Sequence, residues 1–196
     1  MKSMPWKNGL GITTEVAIFP PDAKFADQNF LWRLSLSEVR SDGPFSKFEG
    51  YDRILAVWQG DGLILNDQTL LPMAALHFSG DVETQSKLLN GPVTDLGVIY
   101  RRGEVTAEMR SLTFTTANET SLQIVQLGLP PLHHNHFLFC AKGEIKIGRD
   151  LLDPGDAVYF DTFDPSTREA LFTFLEGSTA LLISITATPQ FATPSR

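Results

Sequence analysis

The chain has 196 residues, 42% of them hydrophobic and 20% charged, with a formal net charge of -7. That content fits one large all-β domain or two small fused halves and excludes a disordered chain, while the acidic balance argues against a nucleic-acid partner, whose phosphates are met by Lys/Arg patches. Cys140 is the only cysteine, which excludes a disulfide framework and a thiolate metal cluster.

The opening segment Met4-Pro5-Trp6-Lys7-Asn8-Gly9-Leu10-Gly11-Ile12-Thr13-Thr14-Glu15 concentrates an indole, an ammonium, a carboxamide, hydroxyls and a carboxylate beside glycines. Glycine lets backbone approach a ligand closely, so this density points to a site. No signal-peptide segment precedes it, and no apolar run nears the roughly 20 residues that span a bilayer. A cytoplasmic protein without a membrane partner is therefore expected. Short runs rich in β-branched and aromatic residues follow, and they predict strands at 13–19, 31–39, 53–59, 62–65, 76–78, 83–88, 95–101, 107–115 and 121–127. Further strands are predicted at 137–141, 144–147, 157–160, 170–175 and 179–187. Many alternate with period two: Trp32, Leu34 and Leu36 share one face, and Arg33, Ser35 and Ser37 the other. No window sustains a helical stripe, so the spacing implies an all-β sandwich or barrel.

The chain also hints at duplication. Residues 54–65 read strand, Gly turn, strand, followed by Leu70-Leu71 and Gly80-Asp81. Residues 137–147 repeat that order, followed by Leu151-Leu152 and Gly155-Asp156. The order resembles the second half of a cupin barrel, and two copies would make a bicupin, two cupin-type β-barrels or jelly rolls in one chain with little helix. The expected halves are residues 1–115, with the pocket, and residues 116–196, packed as one compact bicupin unit.

Met4-Pro5-Trp6-Lys7-Asn8-Gly9, Trp32-Arg33-Leu34-Ser35 and the run from Asp42-Gly43-Pro44-Phe45 to Tyr51-Asp52-Arg53 form an ordered series of blocks. It continues through Phe78-Ser79-Gly80-Asp81, Leu89-Asn90-Gly91-Pro92-Val93-Thr94-Asp95 and Arg101-Arg102-Gly103. Together they resemble the HutD/Ves family of bacterial bicupins. Two positions depart from the family pattern: Leu10 stands where a third glycine is usual, and Leu96-Gly97 where an Asn follows the Asp-Phe pair. The resemblance implies a small-molecule-binding bicupin, in some members tied to histidine utilisation with formylglutamate or urocanate as ligand. It brings no established reaction.

The residues themselves give the chemistry. Metal-holding cupins use a His-x-His pair, a Glu and a later His. Here the corresponding positions of the first repeat read Ser46, Phe48 and, near the Glu, Arg53. Hydroxyl, phenyl and guanidinium do not suit a divalent metal, so no cofactor and no metal are expected in this half. Arg53 offers a fork for a carboxylate, against a structural Arg–Asp pair. Lys7, Asn8, Glu15 and Arg33 extend such a pocket, with Glu15 accepting an ammonium or amide N–H; alternatively Glu15 and Arg33 pair across neighbouring strands. Trp6 and Trp32 either wall the pocket or belong to the core. In His133-His134-Asn135-His136, the pair His134 and His136 reads as metal ligands or, after Pro130-Pro131, as a solvated surface loop. His77, in an apolar run, reads as an interior histidine, and Cys140 as a buried inert thiol. No nucleophile elbow is present.

The leading expectation is a metal-independent binder of a small carboxylate metabolite, formylglutamate- or urocanate-like, acting as a sensor or modulator of amino-acid catabolism without turnover. Its binding residues would be Lys7, Asn8, Glu15, Trp32, Arg33, Ser46, Phe48 and Arg53, and it would bind as a monomer or homodimer. The alternative is an isomerase or hydrolase acting on a similar acid, with Glu15 as general base or with metal at His134 and His136. A third reading, an interaction module, requires Arg33 and Arg53 both paired internally and no cavity.

Overall fold

The computed structural model describes residues 2–6, 11–115, 120–123, 134–161 and 171–188. Lys7, Asn8 and Leu10, and residues 124–127 of one predicted strand, lie outside the described residues. The chain divides into two compact units, Met1–Thr106 and Ala107–Arg196. Both are all-β, as the alternation predicts. The helical content among the described residues is a single 3-10 turn, η1 (Phe25–Asp27), and no described helix is long and apolar enough to cross a membrane.

The first unit contains β1 (Lys2–Pro5), β2 (Gly11–Phe19), β3 (Trp32–Val39), β4 (Gly43–Phe45), β5 (Tyr51–Gln59), β6 (Leu63–Leu65), β7 (Gln68–Leu70), β8 (Ala75–Ser79), β9 (Thr84–Leu88) and β10 (Val93–Arg101). They form a six-stranded sheet, β1-β2-β3-β10-β5-β8, and a four-stranded sheet, β4-β9-β6-β7. The two sheets meet over Val39, Leu55, Val57 and Val93 from the larger and Phe45, Leu63, Leu65 and Leu70 from the smaller. Each of these positions follows the period-two rule, one apolar face per strand closing a jelly-roll-like sandwich.

The second unit contains β11 (Val105–Thr113), β12 (Thr120–Gln123), β13 (His134–Lys142), β14 (Ile145–Ile147), β15 (Asp150–Leu152), β16 (Ala157–Asp161), β17 (Leu171–Phe174) and β18 (Thr179–Ala187). Its sheets run β11-β18-β13-β16 and β12-β17-β14-β15. Strand for strand this is the order β3-β10-β5-β8 and β4-β9-β6-β7 of the first unit, so the repeat read from the sequence is a repeat of topology, with β1 and β2 added to the first copy. The equivalence extends to single residues. Arg53 pairs with Phe78 on one side and Ile99 on the other, and His136 pairs with Phe160 and Ser184. Each stands seven residues before the glycine of its hairpin, Gly60 or Gly143. Arg53 and His136 are thus the same position in the two copies.

Gly143 has φ +72°, and a Cβ there would lie 2.8 Å from Ser178 Oγ and 2.9 Å from Ser178 Cα. Positive φ and a close backbone both oppose a side chain. Gly143→Ala is therefore expected to destabilise the protein by about 2 kcal/mol, read as a lowered urea midpoint at unchanged slope; an unchanged midpoint would contradict the close packing of this hairpin.

Two expectations are corrected. His136 is not in a solvated loop: β13 begins at His134, and His136 is fully buried, with Nδ1 3.0 Å from Ser184 Oγ. The His134 side chain lies outside the described residues. His77 is not interior: β8 is an edge strand whose Leu76 and Phe78 face the sandwich, leaving His77 on the exposed face.

Candidate functional site

The polar face of β3 points into the first unit. Register places Arg33, Ile99 and Arg53 in one row across β3, β10 and β5, then Ser35, Gly97 and Leu55, then Ser37, Asp95 and Val57. Apart from Val57, which belongs to the core, these residues form one wall of a cavity of about 540 Å³, closed further by Trp6, Phe25, Phe45, Ser46 and Phe48. Small ligands occupy cavities of this size. The strand alternation that the sequence shows as apolar against polar is here interior against interior: Trp32 and Leu34, on the opposite face, are buried as well.

Arg53 is the centre of the site. Its guanidinium carbon lies 5.2, 5.5 and 5.0 Å from the ring centroids of Phe45, Phe48 and Phe78. Such a cage holds a cation by its quadrupoles while leaving the N–H edges available. Among the described residues it makes one hydrogen bond, from Nη1 to the Ser46 carbonyl at 3.3 Å. Burial pulls the guanidinium down to about 10, opposed by the charge of Asp95. Asp95 is 2% exposed, and its Oδ2 is buried without a hydrogen-bond partner among the described residues. Burial pushes this carboxyl up to about 7, with Arg53 opposing. A cation and a carboxyl, both displaced by desolvation in one cavity, mark a functional site on physical grounds.

Arg33, 2% exposed, donates from Nε to Glu15 Oε2 at 2.8 Å and stacks on Phe25 at 4.0 Å, which η1 delivers over it. Its Nη2 is buried without a hydrogen-bond partner among the described residues. Burial holds Arg33 below its ordinary value, opposed by the Glu15 hydrogen bond. At the other end, Trp6 Nε1 donates to Thr13 Oγ1 at 2.7 Å, and Thr13 Oγ1 lies 3.0 Å from Ser37 Oγ, so a hydroxyl chain ties the N-terminal strands to the wall.

Of the residues singled out in the sequence, the cavity brings together Arg33, Ser46, Phe48 and Arg53. Glu15 is across the strands from Ser35 and ion-paired to Arg33, and among the described residues it is not part of the wall. Trp32 stacks on Phe19 at 6.0 Å outside the cavity. Lys7 and Asn8 lie outside the described residues. Asp95, Ser35, Ser37 and Phe25 were not foreseen, although an aspartate inside the apolar run 93–99 was a visible anomaly. No cluster of three or more His, Cys, Asp or Glu that could hold a metal occurs among the described residues.

Three comparisons bear on this geometry. The family model HutD matches residues 1–174. This chain belongs to the HutD family. It is 37% identical over 129 residues to an uncharacterised 21.2 kDa protein in the hutC 3′ region of Pseudomonas putida, covering 63% of this chain and 66% of that relative. It is also 32% identical over 127 residues to protein Ves of Citrobacter koseri, covering 59% and 64%. The matched part thus spans just under two thirds of these relatives' own length. A structure of HutD from Pseudomonas fluorescens superposes with a TM-score of 0.70 at 26% identity, covering 95% of this chain and 94% of that one. A cupin 2 conserved barrel domain protein from Leptotrichia buccalis, at TM-score 0.51 and 9% identity over 91% and 89% of the chains, shares the fold alone. The HutD chain is therefore an all-β cupin-type protein whose two jelly-roll-like copies follow one topology.

Proposed function

We propose that this HutD-family chain binds a small carboxylate metabolite in the cavity of its first unit, without a metal, and acts as a sensor or modulator in histidine utilisation or related amino-acid catabolism. The observation that carries the reading is Arg53: a caged guanidinium on a 540 Å³ cavity, with a single hydrogen bond to backbone. Its free N–H fork suits a carboxylate, and enclosure strengthens the pair. The interaction-module reading is not favoured, since Arg33 is paired but Arg53 makes no ion pair within 4.0 Å among the described residues. The pathway is supported by the hutC-region relative.

Calorimetric titration with formylglutamate, urocanate and histidine tests it. One of these acids is expected to bind, and Arg53→Ala to weaken it by about a hundredfold, since truncating one side of a buried charge pair costs about 2–5 kcal/mol. Silence from all three removes the pathway assignment; unchanged affinity in Arg53→Ala removes the anchor. Turnover of the same acids would favour the isomerase or hydrolase reading, for which Asp95, near pH 7, is a better placed acid–base group than the ion-paired Glu15.

A further inference from the structure

The cavity has two poles. Arg33 and Arg53 flank Ile99 in one row, and Asp95 stands two rows away, with Gly97 and Ser35 between. Along β10 this separation is four residues, about 13 Å of strand before the side chains reach inward. The intervening floor is small. A Cβ on Gly97 would meet Leu55 Cδ1 at 3.3 Å and Asp95 Oδ1 at 3.7 Å, so any side chain here would stand between the poles. Asp95 Oδ2 has no hydrogen-bond partner among the described residues, although a buried carboxylate oxygen is costly to leave unmade.

We propose that Asp95 is the specificity-determining residue of this pocket: it accepts a hydrogen bond from an N–H at the far end of a ligand whose carboxylate is held by Arg53, and Gly97 keeps the path between them open. The inference rests on the carboxylate reading given above and deepens it. The acid chosen is then one that carries an amide, amine or ring N–H several bonds from its carboxylate. A ligand lacking that group leaves the Asp95 carboxylate desolvated and unpaired, and such sites reject the deficient analogue strongly. Glu15 is not the acceptor, because its carboxylate is already engaged by Arg33.

Matched probes test this on the full-length protein at pH 8, where the Asp95 carboxyl is ionised. The series of ω-acetamido acids from acetamidoacetate to acetamidohexanoate is titrated against the oxo acids in which CH2 replaces the N–H. The best acetamido acid is expected to bind at least about tenfold more tightly than its oxo counterpart, the ratio set by one hydrogen bond to a charged group. Asp95→Ala should bring that ratio to one. Gly97→Val should abolish binding of the long acids yet retain acetate, which needs only the Arg53 pole; the retained acetate shows that the variant is folded. Equal affinity for acetamido and oxo acids, with both lost in Arg53→Ala, overturns the Asp95 role and leaves the carboxylate reading standing. Binding that ignores Arg53→Ala overturns both.

Discussion

His136→Arg is expected to leave little folded protein at 25 °C. Position 136 is the second-unit counterpart of position 53, where an arginine sits in a cavity among three rings with a carboxyl nearby. In the second unit the described interior at this position is apolar. The His136 ring stacks on Phe160 at 5.3 Å, Phe160 packs on Phe172 at 5.4 Å, and Leu138, Phe174 and Leu182 complete the cluster. The residue corresponding to Asp95 is Ala180, paired with Cys140 as Asp95 is with Val57. A guanidinium would be buried there against apolar rings, with Ala180 in the aspartate's place and no counter-charge in that cluster among the described residues, at a cost of several kcal/mol against a total stability of about 5–15 kcal/mol. Urea or thermal unfolding reads the loss. His136→Leu is the control: it gives up the ring's hydrogen bonding, the Ser184 contact included, at about 1 kcal/mol per bond, and keeps an apolar side chain in place. An arginine variant melting within a few degrees of the parent would refute the account of this site as an apolar interior without a counter-charge.

Asp95→Asn should instead stabilise the ligand-free protein, and only at neutral to alkaline pH. The folded-state pKa, about 7, lies above the ordinary value of 3.8 because burial penalises the charged form. Between these values the unfolded chain has released its proton while the folded chain retains it, so parental stability falls as pH rises from about 4 to 7 and then levels. Three units correspond to roughly 4 kcal/mol at the plateau. The amide avoids this cost. Its advantage should be full at pH 8, shrink through pH 6 and vanish near pH 4, as read from melting temperatures across that range. A constant difference at every pH would show that Asp95 is not a desolvated carboxyl.

The period-two pattern was enough to place every long strand, because alternation records which face is buried. It failed for β1, β4, β7 and β15. These are three or four residues long, β1 and β4 contain Pro5 and Pro44, and all four are held by a neighbouring strand rather than by their own pattern. The Pro130-Pro131 pair drew His136 towards a loop reading, although the strand starts only three residues later. In the site, Arg53 and Arg33 were legible as cations embedded in apolar strands. Asp95 stood out as a charge in an apolar run, but at the start of a predicted strand an aspartate reads as a turn residue; only the register sets it beyond Gly97, on the Arg53 face.

Arg102 carries a consequence of another kind. Its guanidinium holds Asp52 Oδ1 and Asp81 Oδ2, each at 2.7 Å, together with the Tyr51 carbonyl and Ser79 Oγ, while Asp81 Oδ1 accepts the Gly50 N–H at 2.7 Å. This exposed clasp joins the blocks around 49–53, 78–81 and 101–103, which are among those that made the sequence recognisable. Other residues of the recognisable blocks, Arg33, Ser46 and Arg53, line the cavity instead. One stretch of text thus serves two ends, a fastening on the outside and a lining within, and a change in Tyr51-Asp52-Arg53 touches both at once.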